Sequence, residues 1–484
     1  MTEGSESDTL ANEHATLQNT HMLMLFLSIL GLAALVSLVD WRRGWLMAVV
    51  IGVLQDPIRK ITPGTPPEMT FSILVVYFAI LFGSQAMLQR QLRDLSRRFG
   101  AVSQAMLLVI ICLFLAAVTG LVTFGLEYWK VPALSLFIYL APLPAVLIGY
   151  AWMNDEESLL RFFRFYSIVT SIAMIGCVFE YLGFTWPVLG LVAQPGLYIR
   201  HLPGVQIPML SGFYRAPDIM GWHAATLGSI GIGMVVRGGM RVRTWPWMLV
   251  ALWGFINCLI SGRRKAVYML AVFALVLVWR YFRRLTTTQL ASIVIAGALM
   301  GVVVSRIASD ERSSVYAKGT VTSREEVWIR LEGGVMYTFE QFGLMGAGLG
   351  SATQGVHHLT GKELNVGWQE GGLGKLAVEL GLPGLVAVAF FAWVLSRTLL
   401  RLSSAPDIPG SSQLIRVILL AILISNVVNF MVSAQAYSDA VLILLTAFFV
   451  GCFLGTATLN EKFTALQKAQ AAPQPLGLRT PATV

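Results

Sequence analysis

The pattern of apolar and polar positions divides the chain into long apolar runs separated by short polar connections. A helix that crosses the hydrocarbon core of a bilayer needs roughly 20 apolar residues. Twelve runs approach or reach that length, and a thirteenth, 44–55, is short enough to predict a tilted or partial crossing. The pattern therefore predicts an all-α polytopic membrane protein with about 12–13 transmembrane helices. The twelve runs are 22–39, 69–88, 101–123, 131–152, 165–184, 219–236, 245–261, 265–282, 289–305, 374–396, 414–434 and 438–458.

The polar stretches divide the chain into five regions. Residues 1–21 form a polar N-terminal tail, and residues 22–305 form an N-terminal membrane bundle. One large loop, 306–373, separates this bundle from the C-terminal membrane helices at 374–458. The last region, 459–484, has a composition typical of a disordered tail.

Two of the connections are long. The segment 185–218 is rich in proline and glycine, whereas the pattern of 306–373 predicts a helix at 323–341. Ser323 followed by Glu326 has the spacing of a capping box, which predicts that this helix begins there. Both segments carry aromatic and apolar residues, so we expect packed caps over the membrane domain.

Composition excludes a soluble protein. Hydrophobic residues make up 56% of the 484 residues and charged residues only 13%, whereas soluble domains carry about 25% charged residues. The net charge of +9 is typical of loop residues that contact anionic lipid. No basic run is interleaved with aromatic residues, which argues against a nucleic-acid partner. The four cysteines all fall inside apolar runs and predict neither a metal site nor a disulfide.

Arg263, Arg264 and Lys265 form a basic cluster between two apolar runs. The neighbouring basic groups, 237–243 and 280–284, each lie one crossing away and match the positive-inside rule as cytoplasmic residues. The cluster then faces the outer side, where that rule disfavours positive charge. Because charges inside a bilayer cost several kcal/mol, the three must lie at an interface or in a wet cavity. This position predicts an anionic partner.

Further arginines predicted on the outer side are candidates for the same anion. The planar guanidinium group suits phosphate oxygens, which makes Arg215 and Arg324 candidate pyrophosphate ligands beside the basic cluster. Arg215 also precedes the run 219–236, and we expect Asp218 to cap that helix. A helix N-terminus attracts anions on its own. The alternative for each arginine is a lipid headgroup or an ion pair with an acidic residue.

Alternating glycines and one tryptophan are candidates for the acceptor side. Gly346, Gly348 and Gly350 permit either a close approach of the backbone to a ligand or a tight packed turn. No lysine followed by serine or threonine comes after them, so they do not form a P-loop. Trp368 could stack on a sugar ring.

Three residues are candidate general bases: His357, His358 and Glu370. A histidine titrates near neutrality and can take a proton from a sugar hydroxyl, but adjacent loop histidines are often simply exposed. Two histidines without further ligands make a poor metal site, so no metal or other cofactor is predicted. Glu379 and Asp439 are acidic residues within or beside apolar runs, where they have either a function or an ion-pair partner.

These motifs, in this order, resemble the bacterial O-antigen ligase and O-antigen polymerase superfamily. The resemblance extends over roughly residues 215–384 and includes the general number of spans. The motifs are Ser261-Gly-Arg-Arg-Lys265, Ser323-Arg324 with Trp328, the turn Phe342–Gly350, His357-His358, and the stretch from Glu370 through Glu379 to Gly384.

The resemblance implies an inverting, metal-independent glycosyltransferase in the bacterial inner membrane. Such an enzyme moves a glycan from polyprenyl pyrophosphate to an acceptor on the periplasmic side. Outer arginines hold the pyrophosphate, and in ligases a loop histidine acts on the acceptor hydroxyl. Membrane lipids and a chain-length regulator are the further partners implied. Here the residues after His358 and around Trp368–Glu370 differ from the ligase pattern. This difference favours a polymerase of O-antigen or exopolysaccharide, with a ligase as the alternative and Glu370 as a rival base.

Two other classes of function remain open in the sequence. A transporter or flippase for a lipid-linked or anionic solute places ionisable residues near the middle of the membrane, often in broken helices. In this chain the polar residues concentrate at one face, and the runs 69–88, 101–123 and 289–305 are nearly free of charge. A non-catalytic scaffold is the third hypothesis.

Overall fold

In a computed structural model of the chain, residues 3–190, 198–202, 205–239, 242–281, 295, 333–352, 369–404 and 410–471 are described. The fold is all-α, as predicted, apart from one short antiparallel hairpin of strands β1 (Tyr198–Leu202) and β2 (Val205–Pro208). The helices are α1 (Glu3–Val39), α2 (Trp41–Ile61), α3 (Ser72–Gly83), α4 (Gln85–Arg98), α5 (Gly100–Phe124), α6 (Lys130–Leu140), α7 (Pro142–Trp152), α8 (Glu156–Tyr181), α9 (Pro217–Gly238), α10 (Trp245–Ile260), α11 (Arg264–Tyr281), α12 (Gly372–Ser404), α13 (Gly410–Val432) and α14 (Ala440–Ala471).

Eight helical segments in the described part of the chain are long and apolar enough to cross a membrane. The protein is therefore a multi-pass membrane protein. A bent pair of helices gives a ninth candidate, while α2, α10 and α11 coincide with predicted runs but are shorter or more charged. The remaining predicted run, 289–305, lies outside the described residues except for Ile295. The eight segments are the apolar part of α1, then α5, α6 joined to α7, α8, α9, α12, α13 and α14.

The predicted span 69–88 is wrong as a single straight helix. A short 3-10 turn and α3 occupy Pro67–Gly83, and α4 then departs at 80°. The apolar run ends at Gly83, beyond which the sequence becomes rich in arginine and glutamine. These polar residues favour the surface of the membrane over its interior, so the chain turns.

The short run 44–55 belongs to a helix of full length. Asp40 alone separates α1 from α2, and its carboxylate accepts the backbone N–H of Arg42 at 3.0 Å as an N-cap. The 21 residues of α2 extend for about 31 Å. The Arg42 guanidinium lies over the ring of Trp152, and Lys60 near the other terminus donates to the Gly212 carbonyl. Thus α2 runs from one end of the bundle to the other, although it is not among the eight segments that are long and apolar enough to cross a membrane.

Helix α9 is the central helix of the bundle. Within its membrane-spanning window 94% of the residues are buried, far more than in α1 or α5. It packs against α8, α10, α11 and α13, which cover it on all sides. Beside it, Phe448 of α14 contacts the rings of Trp45, Trp152 and Phe162 at centroid distances of 4.7–5.6 Å, which joins α2, α7 and α8.

Several regions predicted as tails or loops contain regular structure. Helix α1 begins at Glu3, inside the predicted N-terminal tail. Helix α14 continues to Ala471, so disorder is wrong for 459–471, while 472–484 lie outside the described residues. The predicted helix 323–341 is described only from residue 333, and the backbone is helical through 342.

Helices α7 and α14 pack at backbone contact distance. A Cβ on Gly149 would overlap the Phe448 carbonyl oxygen, and a Cβ on Gly451 would overlap the Val146 carbonyl oxygen. Glycines that permit such an approach are the usual means by which membrane helices associate, because water does not drive them together there.

We therefore predict that Gly451→Val destabilises the protein by about 1–3 kcal/mol through overpacking. The free energy of unfolding in mixed micelles measures this cost. The matched control is Gly31→Val in α1, where no atom lies within 4 Å of the added Cβ. An equal loss of stability in both variants would contradict the close α7–α14 contact.

Candidate functional site

The ends of several helices meet in a layer of polar residues at one end of the bundle. This layer is formed by the last turns of α2 and α8, the first turns of α9, α11 and α14, and the residues that follow α13. We call it the Arg215 end. It contains every described arginine that the sequence singled out as a pyrophosphate ligand.

Arg215 lies between two carboxylates. Its guanidinium is 2.6 Å from Asp439 at the start of α14 and 3.5 Å from Asp56 in α2. Asp56 also accepts the backbone N–H of Arg215 at 3.0 Å. Both acidic side chains are only 2% exposed. Burial lowers the pKa of Arg215, but the two carboxylates outweigh burial and raise the pKa above its usual value, so the guanidinium remains charged.

Asp218 holds the basic cluster. Its two carboxylate oxygens lie 2.7 Å from the Arg263 guanidinium and 2.5 Å from Lys265 Nζ. Lys265 also donates to Ser433 Oγ at 2.9 Å. The anionic partner predicted for this cluster therefore includes a residue of the chain itself. Arg264, which is half-buried, is the first residue of α11 and lies between Arg263 and Lys265 in the sequence.

The prediction that Asp218 caps α9 is wrong. The helix begins at Pro217, whose fixed φ suits the first helical position, and Ala216 occupies the N-cap position without a side-chain hydrogen bond. Asp218 therefore lies inside the first turn. From there its carboxylate points to α11 instead of to its own backbone.

The two ion-pair clusters adjoin each other. Arg215 and Asp218 are three residues apart on one chain segment, and Ser433 and Asp439 flank the short helical turn Gln435–Ser438 on another. Arg215 and the basic cluster therefore lie in the same polar layer, where they contact different carboxylates. Arg324 lies outside the described residues.

Other buried polar residues support the loop that precedes α9. Lys60 Nζ donates to the carbonyls of Gly212 and Tyr214, both at 2.7 Å. Glu180 at the end of α8 accepts the N–H groups of Ser211 and Gly212 at 2.9 and 2.6 Å. Sequence reasoning missed these residues and Asp56. An acidic residue inside an apolar helix was an available signal for Asp56, since such residues are seldom without a partner or a function.

Glu370 reaches the same layer. Its carbonyl oxygen accepts the N–H of Ala434 at 2.8 Å, and its carboxylate interacts electrostatically with Lys265. Of the candidate bases, it is the one that the described residues bring to the basic cluster. His357, His358 and Trp368 lie outside the described residues.

The alternating glycines pack against helices. Gly346 adopts φ +69° against the α12 carbonyls of Ala377 and Val378, and Gly348 adopts φ +86° against the backbone of Gly120 in α5. Gly350, also at positive φ, abuts Val131. The N–H of Ala347 donates to Val378 and that of Leu349 to Ala116. This geometry supports the packing interpretation, because helices already occupy the space that a ligand would need.

Glu379 is the one acidic residue of α12. It accepts a 2.5 Å hydrogen bond from the Tyr139 hydroxyl of α6 and is completely buried. Two residues later, at Gly381, the backbone leaves the helical conformation and the N–H of Leu382 donates to Leu344. The helix before this break is enclosed by protein, whereas the part after it has many exposed apolar side chains.

The opposite end of the bundle has its own ion pairs. Arg237 at the end of α9 binds Glu156 at 2.5 Å, and Arg98 binds Glu461 of α14. Arg280 at the end of α11 donates to serines that end α12. We call this the Arg280 end. Of the described basic residues, Arg237 and Arg280, predicted to face inward, lie here. Arg215, Arg263 and Lys265, predicted to face outward, lie at the Arg215 end.

The arrangement at the Arg215 end can bind and orient an anion. Arg263 and Lys265 share one carboxylate, that of Asp218, and Glu370 interacts electrostatically with Lys265. Among the described residues no three histidine, cysteine, aspartate or glutamate side chains group as metal ligands.

The chain matches no protein-family model, and no curated protein is significantly similar to it.

We predict that Arg215→Gln destabilises the protein by about 3–5 kcal/mol, because it leaves two buried carboxylates without their shared cation. Chemical unfolding in mixed micelles measures the change. The matched control is Arg164→Gln, since Arg164 and its partner Glu157 are both 56% exposed and such a pair contributes below about 1 kcal/mol. Similar values for the two variants would show that the Arg215 network carries no special stability.

Proposed function

We propose that the chain is a metal-independent, inverting glycosyltransferase that polymerises a surface polysaccharide from polyprenyl-pyrophosphate-linked repeat units. In this proposal it acts in a bacterial inner membrane, with the Arg215 end facing the periplasm. The observation that supports it is the convergence of Arg215, the basic cluster and Glu370 in one polar layer. Their order along the chain also resembles that of the O-antigen polymerase and ligase superfamily.

The chemistry requires little beyond positioning. Pyrophosphate is a good leaving group, so the reaction is accelerated when its departing negative charge is stabilised and the attacking hydroxyl is oriented. Arginines supply the first effect through donors that are fixed before the reaction begins. A single base supplies the second effect by accepting the proton of the hydroxyl. No nucleotide is needed at this step, because the lipid carrier already activates the glycan.

We assign different roles to the arginines. Arg263 and Arg264 bind the pyrophosphate, because both are half-buried at the N-terminus of α11, which begins at Arg264. Asp218 is a positioning residue that fixes Arg263 and Lys265. Arg215 is also a positioning residue, since both of its neighbouring carboxylates already contact its guanidinium. Arg324 remains a candidate ligand by sequence alone.

We predict that Arg263→Gln and Arg264→Gln each lower kcat by about 100-fold or more, because each removes a donor to the developing charge. The measurement is chain growth by the purified full chain supplied with polyprenyl-pyrophosphate oligosaccharide. Arg401→Gln is the control, since Arg401 is exposed near the end of α12, at the Arg280 end. Undiminished chain growth in both site variants would overturn the pyrophosphate site.

The candidate base is tested separately. We predict that Glu370→Gln abolishes most chain growth while leaving the binding of the lipid-linked donor intact, because the change removes the proton acceptor and keeps the shape. His357→Gln and His358→Gln are the parallel variants. Loss of activity in a histidine variant, with normal activity in Glu370→Gln, would move the base into the loop and favour the ligase mechanism.

The product separates the two related activities. A polymerase yields longer glycans on polyprenyl pyrophosphate, whereas a ligase yields glycan on a lipid A-core acceptor. Lipid-linked glycan that crosses the bilayer of a vesicle without any new glycosidic bond would instead identify a flippase. A chain-length regulator added to the assay should narrow the product distribution of a polymerase only.

A further inference from the structure

Helix α4 has two opposite faces. Its arginines recur with a spacing of three and four residues and so form one stripe, while its leucines recur with a spacing of four and three and form another. At 100° per residue the centres of the two stripes are about 180° apart. The arginine stripe comprises Arg90, Arg93 and Arg97, and the leucine stripe comprises Leu88, Leu92 and Leu95.

The leucine side of α4 attaches to the bundle. Leu95 is buried in the main core, and Leu88 packs against that core. Asp94, the only acidic residue of α4, accepts a 2.6 Å hydrogen bond from Tyr150 of α7 and binds Arg98 at 2.9 Å. Arg98 also binds Glu461 of α14. Asp94 therefore already has Tyr150 and Arg98 as partners. The three arginines of the stripe are exposed.

The orientation of α4 places the arginine stripe at the level of lipid headgroups. The apolar segment that ends with α3 makes an 80° angle with α4. If that segment crosses the bilayer, α4 lies nearly parallel to the membrane surface. Arg98 of α4 binds Glu461, which places α4 at the Arg280 end, and Leu92, which is 52% exposed, lies on the opposite, leucine side of the helix.

We propose that the arginine stripe of α4 binds the phosphates of anionic phospholipids at the Arg280 end, opposite to the polar layer of the proposed active site. An amphipathic helix with a basic face and an apolar edge is suited to the boundary between headgroups and acyl chains. The planar guanidinium matches the geometry of a phosphate, and three in one stripe can bind adjacent headgroups. Because the stripe directly follows the apolar segment Pro67–Gly83, a lipid is a more suitable occupant than a soluble acidic protein.

The test is a competition between lipids for the detergent-purified full chain. Native mass spectrometry counts bound phosphatidylglycerol and phosphatidylcholine supplied at equal concentrations. We expect the unmodified chain to prefer phosphatidylglycerol. In the variant Arg90→Gln/Arg93→Gln/Arg97→Gln this preference should fall at least about five-fold, which is the factor expected for even one arginine at a lipid surface.

Two further variants control for charge and fold. Arg43→Gln/Arg397→Gln/Arg401→Gln removes the same charge from exposed positions of α2 and α12 and should keep the preference. The variant Arg90→Lys/Arg93→Lys/Arg97→Lys keeps the charge of the stripe and should retain much of the preference for phosphatidylglycerol. If all variants have a similar melting temperature, a change in lipid preference is caused by altered binding and not by unfolding. The proposal is overturned if the stripe variant keeps its preference, if both glutamine triples lose it equally, or if millimolar glycerophosphate displaces the lipid.

Discussion

The buried ion pairs of Arg215 connect the parts of this protein on which the proposed site depends. One guanidinium contacts carboxylates from α2 and α14 while its own backbone leads into the central helix α9. In a low-dielectric interior, a charge of this kind is tolerated only when its partners are fixed close to it. One side chain thus links the ends of three helices. Asp218, three residues later, binds Arg263 and Lys265 and so fixes the basic cluster next to them.

The large features of the fold followed from the sequence because hydrophobic length determines which segments can cross a membrane. Every predicted run on described residues overlaps a helix, although several runs extend a few residues beyond its end. The errors fall where length alone does not decide. The apolar run at 69–88 continued into a basic helix that turns by 80°. The short run at 44–55 is the middle of α2, which polar residues extend at both ends.

The candidate site was only partly predictable. Side preference correctly singled out Arg263 as unusual, but it could not show that Asp218 is its partner, since that pairing depends on the packing of α9 against α11. The carboxylates on Arg215 come from positions 159 and 224 residues away along the chain, which no local pattern connects. The glycine motif shows the reverse case: its spacing suggested a ligand, and helix packing explains it.

The hairpin of α1 and α2 fixes the height of every side chain on α2 relative to the other helices. Asp40 fixes where α2 begins, and a rigid helix then determines both the height and the direction of each later side chain. One inserted residue in the middle of α2 would rotate Asp56 by about 100° and shift it by about 1.5 Å. Gln55, which carries no charge, would then occupy the place of Asp56 beside Arg215. The length of α2 is therefore constrained as strictly as its composition, and tolerated insertions in this region are expected only before α1 or after Ile61.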